Sequence, residues 1–393
     1  MYISFETKQY ILDNRTKDIK SLALSKRVSK DIDYHFALQQ IRGWQIARNK
    51  LPQLYLCDDV IYPEHLPLEQ CSSEQTAIYK SSLVCGESFI DLTGGFGIDF
   101  LYMSEGFQSA TYVERNAELC RVVSHNLKAL GRDNATVVNA DSIAYLEKME
   151  SVDCIYIDPA RRNSKGGKCV YISDCEPNVQ QIETLMLSKA KRVVVKLSPM
   201  LDVTKAIEDL RFVSEVHIVS VNNECKEFLL ILQHDKAENI SVNCINIKKD
   251  DVERFAFDVE SERNLSLSYS SEVLTYLYEP NSSVMKSGGF KSVVNTFPEL
   301  TKLHFNTHLY TSNSLVNSFP GRTFVCLGVC DVNRKSLLTS FGDLSKANIT
   351  VRNFPSSVDE LRKKLKLSDG GELYIFATTL YNEKRSLVVC KKA

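Results

Sequence analysis

The 393-residue chain contains no apolar run approaching the ~20 residues that cross a bilayer. Its opening segment, MYISFETKQY, lacks the apolar core of a secretory leader, so the expected location is cytoplasmic. The twelve cysteines include no C-x-x-C pair, and the closest two, Cys326 and Cys330, have no histidine near them in sequence. A disulfide framework or a zinc site is therefore not expected, and the thiols read as reduced and buried. No fixed-period repeat or low-complexity tract is visible, which argues against solenoids and disordered arrays. What remains is globular: 44% hydrophobic and 25% charged residues, with length for two or three domains.

A net charge of −1 conceals an asymmetry. Residues 1–50 carry 10 Lys and Arg against 5 Asp and Glu, and residues 301–393 carry 14 against 7, so the segment between holds a balance of −13. Basic ends around an acidic body suit a polyanionic partner, because Lys and Arg displace condensed counterions from phosphates. The alternative is charge scattered over solvated faces.

Residues 5–50 show apolar positions at three- and four-residue spacing with no proline, and predict helix. Pro52, Pro63 and Pro67 predict a loop. Strands are then expected at 88–92, 109–114, 135–139, 153–158, 191–197, 213–220 and 227–233, with helices at 98–105, 116–130, 142–148, 178–188 and 203–210. Alternation at this spacing means a parallel sheet covered by helices on both faces. The short connection Asn222–Lys226 makes the last two strands a hairpin, so the final one runs antiparallel. Beyond residue 236 come β-prone pieces such as Ser241–Ile245, then a Ser-, Asn- and Gly-rich stretch over 281–320 that resists assignment. Residues 322–391 read as strand, helix, strand, helix and two strands. The expected organisation is 1–67 helical, 68–235 the α/β domain, 236–320 a β-rich connection and 321–393 a small α/β module.

The chemistry gathers at the strand ends. Strand 88–92 runs into Asp91-Leu92-Thr93-Gly94-Gly95-Phe96-Gly97, a turn that lets backbone approach a ligand closely. It is not the dinucleotide fingerprint, since Phe100 stands where the third glycine belongs. The next strand ends in Glu114, which could accept both hydroxyls of a ribose. The third ends near Asp141, which could contact an adenine, cap the helix from Ser142, or do both. The fourth runs into Asp158-Pro159-Ala160-Arg161-Arg162. Around it lie Lys165 and Lys168 with Gly166-Gly167, a basic loop suited to a phosphate backbone or simply solvated. Neither this motif nor Lys196-Leu197-Ser198-Pro199-Met200 contains a cysteine, so neither offers a thiolate nucleophile. Cys225 is the remaining candidate. Lys196 could face the site or snorkel at the surface.

Three acids at three consecutive strand ends beside one Gly turn resemble the class I S-adenosylmethionine (SAM) methyltransferases, over roughly residues 68–233. Asp158-Pro159 resembles the D/N-P-P-aromatic tetrad of relatives that methylate a base nitrogen, with Ala160 and Arg161 replacing the second proline and the aromatic. The segments L-E-Q-C-S-S-E (Leu68–Glu74), D-L-T-G-G-F-G-I-D, D-P-A-R-R, S-G-G-F-K, H-L-Y-T-S and F-P-G-R together resemble a bacterial family of such enzymes with a ferredoxin-like segment and a THUMP-like C-terminal domain. The resemblance implies a Rossmann-like seven-stranded sheet holding SAM. It implies cofactor contacts from Gln70, Asp91, Thr93, Gly94, Gly95, Gly97, Glu114, Arg115, Asp141, Ser142 and Asp158, and a catalytic set of Asp158, Pro159 and Arg161. Ser72 would join Gln70 over the methionine end, or Ser72 or Ser73 would cap the following helix. The expected partner is RNA, tRNA or rRNA, and no metal is expected. A DNA or small-molecule methyltransferase and a non-catalytic RNA-binding protein are the competing readings.

Overall fold

The computed structural model describes residues 3–24, 29–161, 171–235 and 238–393. Two compact units divide the chain: Met1–Ser214 with Phe228–Ala237, and Glu215–Glu227 with Glu238–Ala393.

The first unit opens with helices α1 (Phe5–Asn14), α2 (Ile19–Ala23) and α3 (Tyr34–Lys50). The prolines that predicted a loop instead admit two short helices, α4 (Pro52–Tyr55) and α5 (His65–Gln70). Pro52 is tolerated there because a first-turn residue has no intrahelical N–H bond to lose. Helix α6 (Glu74–Ser81) follows, capped by Ser73, whose hydroxyl accepts from the Thr76 N–H at 3.3 Å. Of the two serines proposed as cap, Ser73 takes the role.

The α/β run is then β1 (Gly86–Asp91), α7 (Ile98–Met103), β2 (Phe107–Glu114), α8 (Ala117–Ala129), β3 (Ala135–Asn139), α9 (Ser142–Lys148), β4 (Val152–Ile157), the short β5 (Ala160–Arg161) and β6 (Cys175–Glu176), α10 (Val179–Lys189), β7 (Ala190–Leu197), α11 (Val203–Asp209), β8 (Val213–Val221) and β9 (Glu224–Gln233). Within this unit the strands lie in the order β9-β7-β4-β1-β2-β3. All pairs are parallel except β7 with β9. Central strands covered on both faces should be continuously apolar. Cys154–Ile157 and Val193–Val195 are, and are buried. Under the sheet, Phe89 stacks on Phe100 and Phe107, and Tyr112 meets Phe100 edge-on.

The expected five-residue link between β8 and β9 is shorter. Asn222 and Asn223 adopt φ of 49° and 64°, so a two-residue turn closes the hairpin and β9 begins at Glu224. Asparagine tolerates this left-handed region, which matches strand twist.

In the second unit, β10 (Ser241–Ile247) runs parallel to β8 and antiparallel to β11 (Val252–Asp258). Two strands thus follow the seven that were expected. The region 259–320 resolves into α12 (Val259–Asn264), β12 (Tyr276–Pro280), α13 (Ser282–Ser287), α14 (Phe290–Thr296), β13 (Thr301–Lys302) and β14 (Tyr310–Ser312). The terminal module is β15 (Gly321–Cys330), α15 (Arg334–Phe341), β16 (Asn348–Arg352), α16 (Val358–Leu365), β17 (Leu373–Thr379) and β18 (Arg385–Lys392). Its sheet has the order β13-β14-β12-β15-β18-β17-β16, so the Ser- and Asn-rich stretch and the terminal module share one sheet. One core packs Leu337, Leu361, Leu365, Ile375 and Leu387; another packs Leu277, Phe324, Phe376 and Val388.

Candidate active site

Sheet register decides what the strand ends share. Asp91 pairs in register with Tyr112 of β2 and Tyr156 of β4, and Glu114 pairs with Asn139 of β3. Glu114, Asp158 and Asp141 each lie two residues beyond these partners. The four acids therefore stand at the carboxyl ends of four adjacent parallel strands, where open α/β sheets bind ligands.

Hydrogen bonds tie three of them to the turn and its neighbours. The Thr93 N–H donates to Asp91 Oδ1 at 2.9 Å, and the Asp158 N–H donates to Thr93 Oγ1 at 2.7 Å. The Gly95 N–H donates to Glu114 Oε2 at 3.0 Å, and the Asn116 N–H to Glu114 Oε1 at 2.8 Å. Each carboxylate oxygen has two lone pairs, so Glu114 keeps acceptor capacity for ribose hydroxyls. The two central glycines serve different ends. A Cβ on Gly94 would lie 2.0 Å from the Tyr112 ring, so that position is closed by packing. A Cβ on Gly95 would meet only Thr93 O at 3.8 Å, at φ +54°, so its backbone borders open space. Gly97, at φ +78°, precedes α7. A bordering turn without side chains, flanked by spare carboxylate lone pairs, fits an adenosyl group.

Asp91 is buried, and burial pushes its carboxyl well above the usual aspartate range, with the nearby charges of Asp99, Asp158 and Glu114 pushing the same way. Asp141 caps α9, accepting from the Ile143 and Ala144 N–H groups at 3.0 Å each with Oδ1. That satisfies the capping reading and leaves Oδ2 outside those two bonds. Ser142 opens the same helix. Pro159 is buried, while Arg115 is exposed and lies 3.5 Å from Glu176. Gln70 is exposed at the end of α5. Ser72, read as a cofactor ligand or a helix cap, donates to Asp99 Oδ2 at 2.8 Å. Arg161 lies in β5, whose backbone pairs with β6. Arg162, Lys165, Gly166, Gly167 and Lys168, the proposed basic loop, lie outside the described residues.

The sequence reading missed a charged cluster beneath Asp158. Lys196 Nζ lies 2.6 Å from Asp158 Oδ2 and 3.6 Å from Asp99 Oδ2. Lys80, fully buried, lies 3.1 Å from Asp99 Oδ1, and the Tyr156 hydroxyl donates to Asp99 Oδ2 at 2.7 Å. Burial pushes the Asp99 carboxyl upward, but Lys80, Lys196 and the Tyr156 and Ser72 hydroxyls outweigh it and hold it well below the usual range. The signal was present as an acid inside the apolar run Ile98-Asp99-Phe100-Leu101. Lys196 faces the site rather than snorkelling.

One solved structure settles the family. It is a candidate methyltransferase from Porphyromonas gingivalis W83, 33% identical to this chain, with 100% of each chain covered and a TM-score of 0.89. The chain belongs to the class I SAM-dependent methyltransferases with a THUMP-like C-terminal domain. Residues 76–222 of this methyltransferase match the family described as conserved hypothetical protein 95, residues 276–320 a ferredoxin-like domain, and residues 321–392 a THUMP-like domain. Two other structures overlap weakly. A candidate methyltransferase from Streptococcus mutans in complex with SAH is 12% identical, with 40% of this chain and 96% of that chain covered and a TM-score of 0.30. An rRNA methylase from Streptococcus thermophilus is 13% identical, with 45% and 100% covered and a TM-score of 0.31. Scores that low bear on nothing further. No match exists among curated proteins. Among the described residues no cluster of His, Cys, Asp or Glu could hold a metal, and no helix is long and apolar enough to cross a membrane.

Proposed function

We propose that this methyltransferase transfers a methyl group from SAM to a base nitrogen of RNA, tRNA or rRNA. The observation that carries the reading is Asp158: a carboxylate at the sheet edge, held by Lys196 through Oδ2 and by Thr93 through its own backbone N–H. SAM, when bound, supplies an electrophilic methyl on a sulfonium. Glu114 would hold the ribose, the Gly94-Gly95 turn would leave room for the adenosyl backbone, and Asp141 Oδ2 would be available to the adenine edge. Asp158 Oδ1 would accept a hydrogen bond from the target nitrogen and orient its lone pair. Pro159 would supply a carbonyl, and Arg161 would place the base or a phosphate. Positioning dominates such a transfer, since alignment and exclusion of water supply most of the acceleration.

RNA as the acceptor is supported by the THUMP-like domain and by the basic C-terminal segment with its excess of seven positive charges. Mass spectrometry of digested total RNA, from cells with and without the protein, tests it. One methylated nucleoside should be missing without the protein, and its identity names the base. An unchanged nucleoside profile removes the RNA reading. Calorimetry with SAM separates the enzyme from a binding protein that merely keeps the fold, since no heat of binding would favour the latter.

A further inference from the structure

We propose that a cavity of about 960 Å³ in the second unit binds an unpaired nucleobase of single-stranded RNA. The site shares no residue with the strand-end acids, and the choice of RNA rests on the function proposed above.

The cavity lies among three loops that leave the terminal sheet. Phe305 and Asn306 come from the first, Asn353 and Phe354 from the second, and Glu383 from the third, between the strand ends at Thr379 and Arg385. Phe305 is 51% exposed, yet one face of its ring lies on the His304 imidazole, with centroids 3.9 Å apart and planes 29° apart. The exposed part is therefore the outer face and edge. Tyr269 meets Phe305 edge-on at 6.5 Å and stacks on Tyr381 at 5.3 Å, and Tyr381 is 50% exposed. Phe305 at the cavity and Tyr381 beyond Tyr269 are thus two half-exposed rings with steeply inclined planes, and each can take one stacked base. The amides of Asn306 and Asn353 offer donors and acceptors to a base edge, and the Arg385 guanidinium suits a flanking phosphate.

Buried polar groups build this site in advance. Lys302, 2% exposed, donates to the carbonyls of His304 at 2.6 Å and Phe305 at 2.7 Å. His304 Nδ1 accepts from the Asn306 N–H at 3.0 Å and faces the Asn353 amide at 3.1 Å, so the ring proton sits on Nε2 and points to Glu383 at 3.1 Å. Thr307 donates to Thr379 O, and Thr379 to Asn353 O, each at 2.6 Å. Asn353 and Glu383 both hold the left-handed conformation, with φ of 51° and 62°. These bonds fix all three loops before any ligand arrives, which lowers the ordering cost of binding.

The test measures fluorescence anisotropy of the full-length protein with a labelled single-stranded RNA and with the same strand annealed to its complement. The wild type should prefer the single strand. Phe305→Ala and Tyr381→Ala should each weaken single-strand binding by about 5- to 150-fold and leave duplex binding unchanged. Phe305→Trp should preserve it. Because both rings are half exposed, the alanine variants should keep the wild-type melting temperature, and Phe305→Trp guards against loss through misfolding. If the wild type binds single strands but both alanine variants bind them equally well, the cavity assignment is wrong and the RNA reading survives. If the wild type binds neither form, the RNA reading falls with it.

Discussion

Lys196 Nζ sits 2.6 Å from Asp158 Oδ2 and 3.6 Å from Asp99 Oδ2, tying the acid at the end of β4 to a carboxylate buried beneath it. One oxygen of Asp158 is thereby committed to the protein, and in the proposed mechanism the other meets the substrate.

Asp158→Ala should therefore lower methyl transfer by about 10²-fold or more while SAM affinity changes little. Tritium transfer from labelled SAM to total RNA gives the rate, and calorimetry gives the affinity. An unaltered rate removes Asp158 from the mechanism.

The glycine turn separates folding from binding. Gly95→Val should abolish SAM binding, because the side chain enters the open space beside Glu114, and should cost only about 1–2 kcal/mol through its left-handed backbone. Gly94→Ala should instead disrupt packing against Tyr112, lowering the melting temperature. A Gly95→Val protein that folds and binds SAM normally would show the cofactor lies elsewhere.

Lys80 is fully buried against Asp99. Removing Lys80 takes the nearer of two cations from Asp99 and leaves Lys196 at 3.6 Å, so Lys80→Met should destabilise the first unit by less than the roughly 3–5 kcal/mol of a wholly unpaired buried charge. The double variant Lys80→Met/Asp99→Leu should recover part of that loss. Denaturant titration reads both; a single variant as stable as wild type would mean the pair contributes nothing.

Asp91 carries a pH signature. Burial raises its carboxyl well above the ordinary range, so the native state holds that proton more tightly than the unfolded chain. Stability from this group is therefore lost as pH climbs from about 4 through its elevated value. Asp91→Asn cannot titrate, so the variant should gain stability relative to wild type as pH rises across that window. Denaturant midpoints compared pH by pH would show it, and a constant difference would contradict it.

Much of this was legible from residue patterns. Strand–helix alternation between residues 88 and 233 gave the parallel sheet, because period and spacing leave few other solutions. The acids at 91, 114, 141 and 158 could be placed at strand ends for the same reason. The region 281–320 was not legible. Its short elements owe their form to partners distant in sequence, as where β14 pairs with β12. The charged cluster was missed because the apolar run around Asp99 signals its burial but nothing local pairs it with Lys80. Only packing against Tyr156 and Lys196 makes the pair intelligible.

Local chemistry set the order of elements, the turn at Gly94-Gly95 and the acid at each strand end, since periodicity and backbone freedom act within a few residues. Tertiary structure alone decided the register that aligns those acids, the ion pair that commits half of Asp158, and the three loops joined around Phe305. Each depends on side chains that meet across dozens of residues, and no local rule encodes such meetings.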